Sequence, residues 1–229
     1  MPIHCKGKMN MKKKNTKTIL VALGTLAAFA LWTFLIRCVD VQPIGPNGSR
    51  VGFAAINGAF HALTGVHWAL YTLTDWLGLV PVAFALGFAV LGLVQLISRR
   101  SLRRVDGSIL VLGAFYIAVM AAYLLFEKFA VNYRPVLIDG FLEASYPSST
   151  TLLTLCVMPT AMLQLSRRLR SGRLRSLVLA VLAAFTAFMV VGRLLSGVHW
   201  LTDIVGGVLL SAAIVCLYAA AADRAELNQ

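Results

Sequence analysis

The sequence predicts an all-α polytopic membrane protein: six transmembrane helices, with an interfacial helical segment between the first two. Three observations carry that prediction. The 229 residues are 59% hydrophobic and only 13% charged, with a mean hydropathy of +0.80, whereas a soluble domain carries about 25% charged residues. Six apolar runs fall within or near the roughly 17–25 residues that a spanning helix needs. When these runs are threaded with the N-terminus inside, sixteen of the twenty-one Lys and Arg fall on one side, which is the bias of cytoplasmic loops.

In chain order, residues 1–17 form a basic tail with Lys6, Lys8, Lys12, Lys13, Lys14 and Lys17, followed by the first span, Thr18–Ile36. A basic start before an apolar run also resembles a signal peptide. The run is long, however, and ends at Ile36-Arg37 without a small-residue cleavage site, so a retained helix is expected. The outer segment Cys38–Trp76 opens with turn formers (Pro43, Gly45, Pro46, Asn47, Gly48). The run that follows from Val51 is too short and too polar to span and suits one or two helices lying in the interface. The second and third spans, Leu77–Ile97 and Ile109–Phe126, flank Arg99, Arg100, Arg103 and Arg104. The outer loop Glu127–Ser148 is short, polar and proline-bearing. The fourth span, Ser149–Leu165, is the shortest, and its helix can begin at Pro147. Five arginines in Arg167–Arg175 precede the fifth span, Leu177–Leu195; little more than a turn joins it to the sixth, Leu201–Ala222. The domain is therefore expected to occupy residues 18–222, with residues 223–229 as a cytoplasmic tail. The location expected is a plasma membrane, with both termini cytoplasmic.

This topology accounts for the net charge of +12 and leaves no need for nucleic acid. Five basic residues remain outside: Arg37, Arg50, Lys128, Arg134 and Arg193. Arg37 can snorkel at a helix end; the other four point to an anionic substrate handled on the outer face. The cysteines (Cys5, Cys38, Cys156, Cys216) are scattered, and none of the four histidines shows ligand spacing. No metal and no other cofactor is expected.

The chemistry concentrates in Gly192-Arg193-x(5)-His199-x(3)-Asp203. Four residues apart, His199 and Asp203 would share a helix face, so the carboxylate can fix the imidazole tautomer and leave the other nitrogen as a nucleophile or base. Arg193 offers a phosphate bidentate charge neutralisation. On the same outer face lie Lys128 and Arg134-Pro135, and Pro147-Ser148-Ser149-Thr150 opens the fourth helix, whose free N–H groups make a ready anion site. Thr64-Gly65-Val66-His67-Trp68 echoes Ser196-Gly197-Val198-His199-Trp200, and Tyr71 and Asp75 follow the first copy at helical spacing. Gly-Val-His-Trp is also simply a comfortable interfacial sequence, since Trp favours that depth.

In order, spacing and sidedness these pieces resemble the type 2 phosphatidic acid phosphatase superfamily, which includes membrane lipid phosphatases and vanadium haloperoxidases. Its signature is K-x(6)-R-P, then P-S-G-H, then S-R-x(5)-H-x(3)-D, and the resemblance covers roughly Glu127 to Asp203. It implies His199 as the nucleophile that takes the phosphoryl group and Asp203 as its orienting partner. Arg134 and Arg193 would then neutralise the phosphate, assisted by Ser148, Ser149, Thr150 and Lys128.

The sequence departs from the signature in three places. Glu127 stands at the Lys position, with Lys128 one residue displaced. Gly192 replaces Ser, and Ser149-Thr150 replaces Gly-His. That His is the family's general acid, a role that contributes about 10²–10⁴-fold. A diphosphate, already a good leaving group, suffers least from its loss, and His67 is a possible substitute acid. The expected function is thus removal of phosphate from a phosphorylated membrane lipid through a phosphohistidine. The lipid would be a polyprenyl diphosphate such as undecaprenyl diphosphate, phosphatidic acid or a similar molecule, with diphosphates favoured. A degenerate member that binds such a lipid without hydrolysing it is the alternative, and a transporter fits poorly because the spans are nearly free of deep polar residues.

Overall fold

In the computed structural model, which describes the backbone of residues 2–227 and the side chains of residues 15–225, eight helices form the bundle: α1 (Pro2–Cys38), α2 (Ala54–Thr64), α3 (Trp68–Leu77), α4 (Leu79–Arg99), α5 (Gly107–Lys128), α6 (Ser149–Arg168), α7 (Gly172–Leu195) and α8 (Leu201–Leu227). Among the described residues, six helical stretches are long and apolar enough to cross a membrane. The described residues contain no strand, only isolated bridges in the loops that follow α1 and α5.

Helix α8 is the hub, packed along α1, α6 and α5. Helix α6 is the least apolar span and the most enclosed. It reverses the soluble pattern: Thr151, Thr154, Thr160 and Gln164 are buried, because in lipid the polar face turns inward. Gln164 donates to Tyr218 Oη at 2.5 Å and to the Ser108 carbonyl at 3.3 Å. The lipid-facing sides of α1, α4 and α7 carry exposed Leu31, Phe34, Leu86, Val90, Leu177 and Val181.

Several boundaries differ from expectation. The basic tail is helical from Pro2 and continuous with the first span, and α8 runs to Leu227, past Ala222. The second span begins at Leu79 and is preceded by a separate helix, α3. Pro81 in the first turn of α4 has no N–H to give the Leu77 carbonyl, so the two helices part at Gly78.

The ends of the bundle differ in chemistry. At one end Asp106 binds Arg99 at 3.0 Å and Arg168 at 3.2 Å, Arg167 pairs with Asp223 at 2.5 Å, and Asn15 donates to the Ala220 carbonyl. At the other, α2 is sewn to the start of α8: Asn57 Nδ2 donates to Thr202 Oγ1 at 3.0 Å and Asn57 Oδ1 accepts from Thr202 N at 3.3 Å. The two echoed segments lie against each other there. His67 N donates to the Ser196 carbonyl at 2.9 Å, and a Cβ on Gly197 (φ 71°) would overlap the Gly65 carbonyl.

Candidate active site

His199 lies in the turn between α7 and α8, outside any helix, because α8 starts at Leu201. The expected pairing on one helix face therefore does not form. Asp203 instead sits in the first turn of α8, where its Oδ2 accepts from Trp200 N at 2.9 Å, half of a capping box that fixes the carboxylate. Its Oδ2 lies 3.9 Å from His199 Nδ1, too far for a hydrogen bond. Ser145 fills the gap: its hydroxyl contacts Nδ1 at 3.0 Å and donates to Asp203 Oδ2. Asn132 Nδ2 donates to Asp203 Oδ1 at 3.2 Å. The relay sets the tautomer, with Nδ1–H donating to Ser145 and Nε2 left as the acceptor. Nε2 faces Arg134 Nη1 at 3.3 Å.

The loop between α5 and α6 delivers Asn132, Arg134 and Ser145 as a short hairpin. Arg134 N donates to the Glu143 carbonyl at 3.1 Å, Ser145 N donates to the Asn132 carbonyl at 2.9 Å, and Tyr133 pairs with Ala144. Asp139 and Gly140 turn the tip with φ of 49° and 85°, as a two-residue hairpin turn requires. Trp200 Nε1 anchors the loop by donating to the Tyr133 carbonyl at 2.7 Å. Arg134 Nε lies 3.0 Å from Glu143 Oε2, so Glu143 is the partner of a buried guanidinium rather than a simple loop charge.

His199 is buried, and burial, reinforced by Arg134 and then Arg193, holds its imidazole well below the ordinary histidine range. A neutral ring with its Nε2 lone pair available is a nucleophile. Beside it, Ser148 precedes α6 without capping it, and its buried hydroxyl has no hydrogen-bond partner; the Thr151 hydroxyl is likewise unpaired. Unsatisfied donors at a helix N-terminus can hold an anion.

The other candidates divide. Ser149 and Glu127 line the small cavity that His199 also lines, whereas Lys128 does not and holds its ammonium 5.8 Å from the Phe129 ring. The position where the family has Lys therefore presents a carboxylate. Thr150 lines an adjoining groove of about 270 Å³ with Asp75, Val119, Met120 and Leu153. Arg193 is turned toward α3, which holds it through Tyr71, Thr74 and Asp75. His67 lines neither cavity and, among the described residues, its ring makes no hydrogen bond to the cluster. The cavity at His199 measures about 10 Å³, the space of roughly one water, so a phosphate needs local opening. No group of His, Cys, Asp and Glu with metal-binding geometry occurs among the described residues.

Sequence reasoning missed Ser145 and Asn132. Asp139-Gly140 was the available signal: as a hairpin turn it sets the register that returns Ser145 beside Asn132.

The PAP2 superfamily profile matches residues 111–226. The chain belongs to the PAP2 superfamily. Among solved structures, a transmembrane PAP2-type phosphatidylglycerolphosphate phosphatase from Bacillus subtilis shares the fold, with a TM-score of 0.54 and 18% identity over 87% of this chain and 94% of that one. No curated protein matches. This is a multi-pass membrane protein of a lipid-phosphatase family.

Proposed function

We propose that the chain removes the terminal phosphate from a membrane lipid, preferring a diphosphate, with His199 as nucleophile. The observation that carries this reading is the relay from Asp203 through Ser145 to Nδ1, which leaves Nε2 open beside Arg134 and the uncapped start of α6. In the first step the Nε2 lone pair attacks phosphorus and the bond to the leaving oxygen breaks, giving a phosphohistidine and the dephosphorylated lipid. Asp203, through Ser145, stabilises the positive ring. Arg134 leaves Nε2 for the phosphoryl oxygens, joined by Arg193, the Ser148 hydroxyl and the first N–H groups of α6. In the second step water attacks phosphorus and the P–N bond breaks, returning the electron pair to Nε2 and releasing phosphate.

Thr150 supplies no imidazolium to the leaving oxygen, which supports the diphosphate preference: a phosphate leaves without a proton far more readily than an alkoxide. The basic cluster lies at the bundle end opposite His199, which supports cytoplasmic termini and a site on the outer face. Thr150 also favours a second reading, a protein that binds phosphorylated lipid without cleaving it. Phosphate release from purified protein in detergent separates the two. Undecaprenyl diphosphate should be cleaved faster than undecaprenyl monophosphate or phosphatidic acid, with labelled phosphate trapped on histidine. Binding of all three without release establishes the second reading.

A further inference from the structure

Arg193 is 1% exposed, and every hydrogen bond its guanidinium makes runs to α3. Nη1 donates to the Tyr71 carbonyl at 3.3 Å and to Thr74 Oγ1 at 3.2 Å, and Nη2 meets Asp75 Oδ1 at 3.1 Å. The Tyr71 ring covers its Cζ at 4.8 Å, while Nε is buried without a partner. Gly192 makes this embrace possible: a Cβ there would lie 2.9 Å from Thr74 Cγ2, so the glycine lets α3 settle onto α7. Asp75 is partly exposed, with a side-chain accessibility of 57%, and stands at the mouth of the groove that Ser149 and Thr150 line.

We propose that Asp75 is a built-in competitor of the substrate, its carboxylate holding on Arg193 the place that a substrate phosphate takes. The proposal rests on the reading of Arg193 as a phosphate ligand. Binding then becomes an exchange in which the incoming anion displaces Asp75 and α3 yields. A phosphomonoester or terminal diphosphate brings two charges and three free oxygens, enough to meet Arg193 bidentately and Arg134 as well. A phosphodiester brings one charge and gains nothing over the carboxylate it must displace.

The test is direct binding of inorganic phosphate and of dimethyl phosphate to the purified protein in an uncharged maltoside detergent, by calorimetry. Asp75→Asn keeps the shape and an acceptor for Arg193 but removes the charge. It should bind phosphate about fivefold more tightly than wild type, near the upper end of what a partly exposed ion pair supplies, and dimethyl phosphate should gain no more than that, because the displacement cost is common to both anions. Gly192→Ser presses Thr74 away from α7 and should act in the same direction, with the double variant gaining less than the product of the two. Phosphate binding unchanged or weaker in Asp75→Asn, or a larger gain for dimethyl phosphate than for phosphate, overturns the proposal; if that variant does not fold, Gly192→Ser decides by the same criterion. The readout involves no turnover. A protein that shows the expected gain but releases no phosphate from lipid overturns the hydrolase reading alone.

Discussion

Replacing Ser145 with alanine tests whether Asp203 acts on His199 through the hydroxyl. The direct Nδ1 to Oδ2 separation is 3.9 Å, and the hydroxyl touches both groups. Ser145→Ala leaves Nδ1–H without an acceptor in a buried site, while Asp203 keeps Asn132 at 3.2 Å and Trp200 N at 2.9 Å, so the carboxylate should hold its place. A hydrogen bond to a charged group contributes about 1.5–3 kcal/mol. The ring becomes charged only as it attacks, so that energy belongs mainly to the transition state; at about 1.4 kcal/mol per decade it amounts to roughly 10- to 10²-fold in kcat, with KM little changed. The assay is phosphate release in detergent with melting followed in parallel. Ser145→Thr should recover part of the loss if the methyl group is tolerated. An alanine variant within twofold of wild type in kcat would mean that the ring turns to meet Asp203 directly, and the relay argument fails.

His199→Ala should abolish turnover with near-normal melting, and Asp203→Asn should depress it severely; full activity in the first removes His199 as nucleophile. Burial and the two arginines hold the His199 imidazole neutral where a free one protonates, so the acid limb of kcat/KM should lie well below about 6.5, and a limb at or above that value contradicts the assignment. Thr150→His should raise monoester hydrolysis more than diphosphate hydrolysis, by up to roughly 10²–10⁴-fold, with Ser149→Gly added to make room. Equal rates on both substrates in wild type, indifferent to the change, would show that the missing histidine is immaterial. In a background lacking the exposed Cys38, Ser101→Cys and Ser171→Cys should be shielded from an impermeant thiol reagent in intact cells while Asp139→Cys labels; the opposite pattern places the site on the inner face.

The spans were legible because lipid demands long apolar runs, and the family because Arg193, His199 and Asp203 keep a fixed spacing. The actual contacts were not. Spacing placed His199 and Asp203 on one helix, yet the helix begins between them, and a serine fifty-four residues upstream makes the connection. Ser145 and Asn132 are ordinary polar loop residues whose importance comes only from hairpin register. The helical spacing of His67, Tyr71 and Asp75 was visible, but only Tyr71 and Asp75 engage a site residue, and they grip Arg193 rather than replace the lost acid. The fourth span, the shortest by sequence, proves the best enclosed.

The abutment of Gly65 on Gly197 has a further consequence. The junction of α2 and α3 is pressed backbone to backbone against the turn that carries His199. A side chain at Gly197 would wedge the two apart, whereas one at Gly65 would point into open space, so the turn is coupled to the α2–α3 junction through Gly197. Were α2 and α3 to lie in the membrane interface, as their sequence suits, bilayer thickness, which sets where helices settle at a cost of fractions of a kcal/mol per Å, would become a variable of the geometry around His199. The surrounding membrane would then be a structural component of the imidazole's setting.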